Sequence, residues 1–246
     1  MPLDDLLTCL IPTSPIPLHP STEMIEKCID SVRVYFPDAH VYVMVDGVRP
    51  QISGRERQYA EYKHNLLDLC DSGRFGNCEI RVFPEFSQQA IMTSRTLEFV
   101  KRPLVLFVEH DVTLRADPAL EFQAMASAIM EGHANMVRLY HWDKIWHEHQ
   151  HLMRGEFEHR GVKFIKTVQY SQWPNLAALD YYKRILRNYF TPGQQNMIET
   201  VMYGPVVSAP WEQNKIVIYA PENMDTFVHM NGRVDPSTGL RDPGDW

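Results

Sequence analysis

Apolar residues along this chain fall into short runs broken by proline and glycine, and between those runs they recur every three or four positions, a pattern that alternates strands with helices. Residues 6–11 form an apolar run stopped by Pro12, Pro15, Pro17 and Pro20, which predicts a first strand and a stiff loop. Ser21 or Thr22 then caps a helix with Glu23 in its first turn, and Met24, Ile25, Cys28, Ile29 and Val32 supply its apolar face before Pro37. A second strand covers 40–45 and closes at Asp46-Gly47. A helix over 55–70 presents Tyr59, Tyr62, Leu66, Leu67 and Leu69, a third strand covers 78–84, and a helix over 88–100 leads into the uninterrupted apolar strand 104–108. Strand, helix and parallel strand in repetition predict an α/β sheet.

The rhythm weakens after Asp111. Pro118 opens a helix that reaches residue 130, 135–140 is a strand, and 141–151 is polar, aromatic and irregular. Weak alternation over 162–170 predicts a strand at a sheet edge. The stretch 175–189 reads as helical, 197–203 as a short helix and 215–220 as the last strand, and the tail from Asn231, rich in Gly, Pro and Asp, reads as loop. No internal repeat or low-complexity segment interrupts the chain.

Length and composition narrow the class. At 246 residues and 44% hydrophobic content the chain can bury a sizeable core as one domain, with 1–115 and 116–246 as its two halves. A formal charge of -7 disfavours a nucleic-acid backbone as the main partner, because counterion release needs clustered Lys and Arg. Cys9, Cys28, Cys70 and Cys78 show no metal or redox spacing and are too sparse for a disulfide scaffold. With no run of spanning length and no signal-peptide pattern, the expected location is cytoplasmic.

The candidate chemistry concentrates where the most apolar strand runs into Glu109-His110-Asp111. Acids at the C-terminal end of a buried strand sit where α/β sheets bind ligands, and on an extended backbone residues two apart face one side. A divalent cation held by one or two carboxylates together with substrate phosphates would suit such a rim. A strand that simply re-enters water also ends in acids.

In this context Glu109-His110-Asp111 resembles the DxD element of the GT-A fold glycosyltransferases, with Glu in place of the first Asp. The resemblance implies a GT-A-like single domain, a mixed and mostly parallel sheet flanked by helices, with a Rossmann-like nucleotide-binding N-terminal half. It implies that Asp111 binds the metal, Mn2+ or Mg2+, and that Glu109 and His110 help to hold the donor. Thr13, Ser14 and Pro15 match the loop that holds the base and Asp46 the acid that meets the nucleoside; apart from the resemblance, Arg95, on the helix before the strand of Glu109, offers a guanidinium for paired hydrogen bonds to a diphosphate or sugar. His229, after the last expected strand, matches the late histidine of the metal or diphosphate site, with Arg233 beside it. Met197-Ile198-Glu199-Thr200 resembles the family's acidic motif under the acceptor, where a carboxylate serves as base in inverting members. Thr200 stands where a second acid is usual, and Asp180 is the reserve base on the acceptor side.

Aromatic residues complete the expectation. Trp142 and Trp173 suit sugar stacking, and the histidines of 141–151 have no standard zinc spacing, which favours an acceptor-facing loop. The function implied is transfer of a sugar from a nucleotide-diphosphate donor, a UDP-sugar first, to a hydroxyl on a glycan or small molecule. A nucleotidyltransferase would be expected to carry a Gly-rich basic loop after the first strand, and Thr13 to Pro20 contains neither glycine nor Lys or Arg. A metal-dependent hydrolase and a noncatalytic nucleotide- or sugar-binding module are the remaining alternatives.

Overall fold

The computed structural model describes residues 2–50, 54–142, 144–222 and 224–230. The Arg233 expectation and the tail therefore lie outside the described residues. In chain order the strands are β1 (Leu7–Thr13), β2 (His40–Val45), β3 (Cys78–Val82), β4 (Leu104–Phe107), β5 (Val112–Leu114), β6 (Met136–Leu139), β7 (Met153–His159), β8 (Val162–Thr167), β9 (Asn175–Ala178), β10 (Ile216–Tyr219) and β11 (Phe227–His229). The helices are α1 (Glu23–Tyr35), α2 (Glu56–Asp71), α3 (Gln88–Leu97), α4 (Phe122–Met130), α5 (Leu179–Tyr189), α6 (Ile198–Ser208) and α7 (Trp211–Asn214).

A nine-stranded sheet runs in the order β3-β2-β1-β4-β9-β6-β10-β8-β7, and β5 pairs with β11 as a separate ribbon. In the large sheet β3, β2, β1, β4, β6, β10 and β7 point one way, and only β9 and β8 oppose them. The period-two alternation of each strand explains the layering. Cys9 and Ile11, Val41 and Val43, Leu104 and Leu106, Val137 and Val217 face a core shared with α1, α2 and α4. Leu10, Tyr42, Val105, Phe107, Met136 and Ile216 face a second core built with α3, α5 and α6. A sheet with both faces covered demands the continuous apolar strands read in the first half of the chain.

Four expectations need correction. The stretch 175–189 is not one helix: Asn175–Ala178 is strand β9, wedged antiparallel between β4 and β6, and only Leu179–Tyr189 is helical. Four residues are too few for periodicity to register, and the neighbouring strands rather than propensity decide the outcome. Strand β8 is not the edge, because β7 pairs outside it. β7 was unread because its sequence, with Arg154, Glu156 and Glu158, is the charged dress of an exposed edge. The segment after Phe107 is a turn, closed by the Val112 N–H on the Glu109 carbonyl at 3.0 Å, so Glu109 and Asp111 do not alternate on an extended strand. Lastly, His229 does not follow the last strand but lies inside β11.

Candidate active site

The chain reverses its winding at β1. From β1 it passes through α1, on one face of the sheet, to β2; from β3 it returns through α3, on the other face, to β4 on the far side of β1. The C-terminal ends of β1 and β4 thus flank a topological switch point, where open α/β sheets bind ligands. Thr13, Ser14, Asp46, Glu109, His110 and Asp111 line one cleft there, joined by Arg49, Gln88, Gln89 and Met197.

The 108–111 turn is anchored on both sides. His110 N–H donates to the Pro12 carbonyl at 3.3 Å, and Met230 N–H donates to the Asp111 carbonyl at 2.7 Å. The Glu109 carboxylate accepts Gln89 Nε2 at 2.7 Å. Antiparallel pairing of β11 with β5 sets His229 opposite Val112, so His229 Nε2 lies 3.1 Å from Asp111 Oδ2 across 118 positions of sequence. Asp111 is buried, which by itself would raise its pKa, but the hydrogen bond from His229 and the nearby imidazoles of His110 and His229 hold it below the usual carboxylate range.

Asp46 is held differently. Its Oδ1 accepts the N–H groups of Gly47 at 2.8 Å and Ser87 at 2.7 Å, and Oδ2 accepts that of Gln88 at 3.0 Å. The side chain therefore caps the start of α3 from another strand end. Burial pushes its pKa up, opposed by these three donors and by Arg49. Gly47 has to be glycine: a Cβ would sit 2.3 Å from the backbone carbonyl carbon of Glu85. Between the two acids, Thr13 Oγ1 pairs with the Tyr62 hydroxyl at 3.0 Å, and the His19 ring stacks on Tyr62 at 3.7 Å while its Nδ1 accepts the Ile16 N–H. Pro15 lines a separate small cavity with His19 and Tyr59.

The N-terminus of α6 meets the rim of this cleft through Met197. In its first turn, Glu199 Oε2 accepts Ser171 Oγ at 3.1 Å and Gln172 N–H at 2.8 Å. Among the described residues no hydrogen bond is made to its Oε1. Behind it lies a polar patch in an otherwise apolar layer: Gln172 Nε2 donates to the Tyr182 hydroxyl at 3.2 Å, which donates to Asn175 Oδ1 at 2.7 Å. Arg138, fully buried on the same sheet face, donates to the Gln169 carbonyl at 2.9 Å, and burial lowers its pKa to about 10 even though Glu199 favours the cation. An arginine inside the apolar run of β6 was the sequence signal for this patch, and it was missed, as was Gln89.

Aromatic rings continue from the Asp111 end. Trp173 meets His229 edge-on at 5.7 Å and stacks on His141 at 5.5 Å; Trp142 contacts His141 at 5.3 Å and Trp146 at 4.0 Å. They form a wall from the cleft to the histidine-rich segment. Asp180 and Arg95 are placed elsewhere. Asp180 is exposed in the first turn of α5, and Arg95 borders a second cavity between α3 and α5 with Lys183 and Arg187.

The donor set suits a divalent cation. A carboxylate facing an imidazole, with a second carboxylate in the same cleft, is the oxygen-rich, nitrogen-assisted set that Mn2+ accepts and Mg2+ accepts through its oxygens. Gln89 Oε1 is buried beside Glu109 with no hydrogen-bond partner among the described residues, an acceptor suited to a ligand hydroxyl or amide.

Neither a protein-family model nor a curated protein matches the chain. Solved structures do. TarS 1–349 of S. aureus superposes with a TM-score of 0.56 at 13% identity, over 92% of this chain and 60% of that one. The fold is GT-A-like. TarS 1–349 has also been solved with UDP-GlcNAc and with UDP. The mannosyltransferase PcManGT of Pyrobaculum calidifontis, in complex with GDP-Man and Mn2+, gives a TM-score of 0.51 at 10% identity, over 89% of this chain and 58% of that one. A UDP-glucose pyrophosphorylase complexed with UDP-glucose gives 0.52 at 10% identity, over 88% of this chain and 91% of its own. Against TarS 1–349 and PcManGT this GT-A-like chain thus spans about 60% of the partner's length. Likeness at these identities is one of fold, not of chemistry.

Proposed function

We propose that this chain is a metal-dependent glycosyltransferase that moves a sugar from a nucleotide-diphosphate donor to a hydroxyl acceptor with inversion. The observation that carries the reading is Asp111 at the β1/β4 switch point, lining the same cleft as Glu109 and Asp46 and paired with His229 at 3.1 Å. Asp111 and His229 would hold Mn2+ or Mg2+, and a cation bound there would neutralise the departing diphosphate. Residues 1–115 serve as the donor half: Ser14 and the backbone of the loop after β1 meet the base, and Glu109 with Gln89 meets the ribose. A UDP-sugar is the first donor to test, given the ligands of the TarS and pyrophosphorylase structures.

Residues 116–246 serve as the acceptor half. Glu199, oriented by Ser171 and Gln172, takes the proton of the acceptor hydroxyl as that oxygen attacks the anomeric carbon and the bond to the diphosphate breaks. Trp173 and Trp142 supply apolar faces on which a glycan or small-molecule acceptor stacks. Among the described residues no helix is long and apolar enough to cross a membrane, and a cytoplasmic site of action goes with this reading.

Thermal shift with UDP-GlcNAc, UDP-glucose and GDP-mannose, each with and without Mn2+, tests the donor; the stabilising donor is then assayed for release of free nucleoside diphosphate. Absence of any Mn2+-dependent stabilisation would sink the proposal. The pyrophosphorylase likeness keeps a nucleotidyltransferase as the second reading, and UTP with a sugar 1-phosphate would then yield pyrophosphate. Release of nucleotide without an acceptor would indicate a hydrolase, and binding with no turnover a noncatalytic module.

A further inference from the structure

The histidine-rich segment was the sequence's only hint of zinc, yet the fold assembles a different set. α4 ends at Met130, and Gly132, at a φ of +79°, turns the chain so that Glu131 and His133 both face the end of β7. His133 and His159 rings lie 4.9 Å apart. Glu131 Oε2 is 3.8 Å from His133 Nε2 and 3.9 Å from His159 Nε2, and the three ligating atoms lie within 4.8 Å of one another. Among the described residues this is the only triad of metal-ligating side chains so assembled.

The two carboxylate oxygens have divided roles. Oε1 accepts Ser127 Oγ at 2.7 Å and Arg160 Nη2 at 3.1 Å, which fixes the carboxylate plane and leaves Oε2 toward the imidazoles. Ser127 Oγ lies 2.8 Å from His159 Nε2, a hydrogen bond that this nitrogen exchanges for a metal, and a water completes a four-coordinate set. His159 is the anchored member, with its side chain 13% exposed; Glu131 is held by Ser127 and Arg160, and His133, about half exposed, is the member that rotates to close the set. Bonds of about 2.0–2.1 Å in a tetrahedral site put ligand atoms roughly 3.4 Å apart, so side-chain rotation of the order of 1 Å closes this set.

We propose that Glu131, His133 and His159 form a zinc site, distinct from the donor cleft, that ties the end of α4 to the tip of the β7–β8 hairpin. Two imidazoles with one carboxylate and a water match Zn2+, whereas Mg2+ and Ca2+ favour all-oxygen sets. None of these elements lines the cleft at the β1/β4 switch point. The bland alternative is an ion-pair cluster in which Arg160 neutralises Glu131 and the histidines are bystanders.

The test uses chain stripped of metal by a chelator and carrying Asp111→Asn, so that the donor cleft lacks its main ligand. Zn2+ is titrated calorimetrically into this protein and into the same protein carrying His133→Asn and His159→Asn. One equivalent of Zn2+ is expected in the first and an affinity at least 100-fold lower, or no binding, in the second. Co2+ should give the visible absorption of a four- or five-coordinate ion only in the first, and Zn2+ should raise only its thermal midpoint. If the histidine variant does not fold, Glu131→Gln alone is measured and should weaken binding at least 10-fold. Retention of the equivalent and of the Co2+ spectrum in these variants, or its loss instead when His147, His149 and His151 become Asn, would overturn the site.

Discussion

Asp46 and Asp111 are both buried acids just beyond the end of a strand of the same sheet, and both line the same cleft, yet the chain holds them in opposite ways. Asp46 spends its oxygens on three backbone N–H groups and thereby fixes the start of α3. Asp111 is met chiefly by imidazoles, His229 at 3.1 Å with His110 nearby, and His229 can itself become a ligand. Backbone donors cannot leave without unfolding a turn; an imidazole needs only to rotate. The difference separates an acid that builds the cleft from an acid that can act in it, and sequence position alone would assign them the same part.

The contrast is broken most severely at Asp111. Asp111→Asn should reduce transfer by on the order of 10^3 or more, the scale of charge stabilisation that a cation supplies. It should also erase the Mn2+-dependent part of the donor thermal shift while leaving stability within about 2 kcal/mol of the parent. Equal turnover in the variant and the parent would remove Asp111 from the reaction. Glu199→Gln is the next largest effect: transfer slows by about 10^2 to 10^3, and the donor thermal shift is kept. Loss of the donor shift in Glu199→Gln would instead make Glu199 a builder, like Asp46.

Asp46→Ala sharpens the comparison from the other side. Ser87 and Gln88 N–H groups lose their acceptor at the start of α3, and stability should fall by on the order of 3 kcal/mol in urea unfolding. Donor binding falls with it, because Gln89, in the first turn of α3, carries Glu109. A variant that keeps its stability but loses the donor shift would make Asp46 a direct ligand instead.

The same division governs what was legible in the sequence. β1, β2 and β4 are buried on both faces, so their apolar runs stand out, and so do Asp46 just past β2 and Glu109 and Asp111 past β4. That reading put Thr13, Ser14, Asp46 and Asp111 in one region, as the fold does. Beyond Asp111 most strands are only three or four residues long and β7 is a charged edge, and the pairing of β9 between β4 and β6 and of β11 on β5 is set by partners far away in sequence. His229 was reached through a family likeness and not through any local signal, since only the β5–β11 register brings it to Asp111. That Arg95 lies on the helix before the strand of Glu109 says nothing about which cavity its face borders, and the fold places it beside Lys183 and Arg187. Arg138 carried a readable signal, a charge inside a buried strand, but only the fold shows that it stands opposite Asn175 of β9 and donates to the Gln169 carbonyl.

The smallest expected effect tests the segment between the two acids. His19 is packed on Tyr62 and Tyr59 with Arg55 and His110 nearby, and burial, reinforced by those two charges, lowers its pKa to about 2. Its unfolded value is about 6.5. Above that pH neither state is protonated and the contribution of His19 is complete. Below it the unfolded chain takes up a proton that the folded chain refuses, so stability falls as pH falls, by up to about 1.4 kcal/mol per pH unit, until the folded pKa is reached. At pH 5.5 the loss from this residue is therefore roughly 1.4 kcal/mol. His19→Gln should remove that slope, measured as the difference between variant and parent in urea unfolding from pH 7.5 to 5, whatever it does to absolute stability. If the two slopes are the same, the loop after β1 is not held by a neutral histidine, and this side of the cleft rests on the Asp46 cap and the Thr13–Tyr62 hydrogen bond.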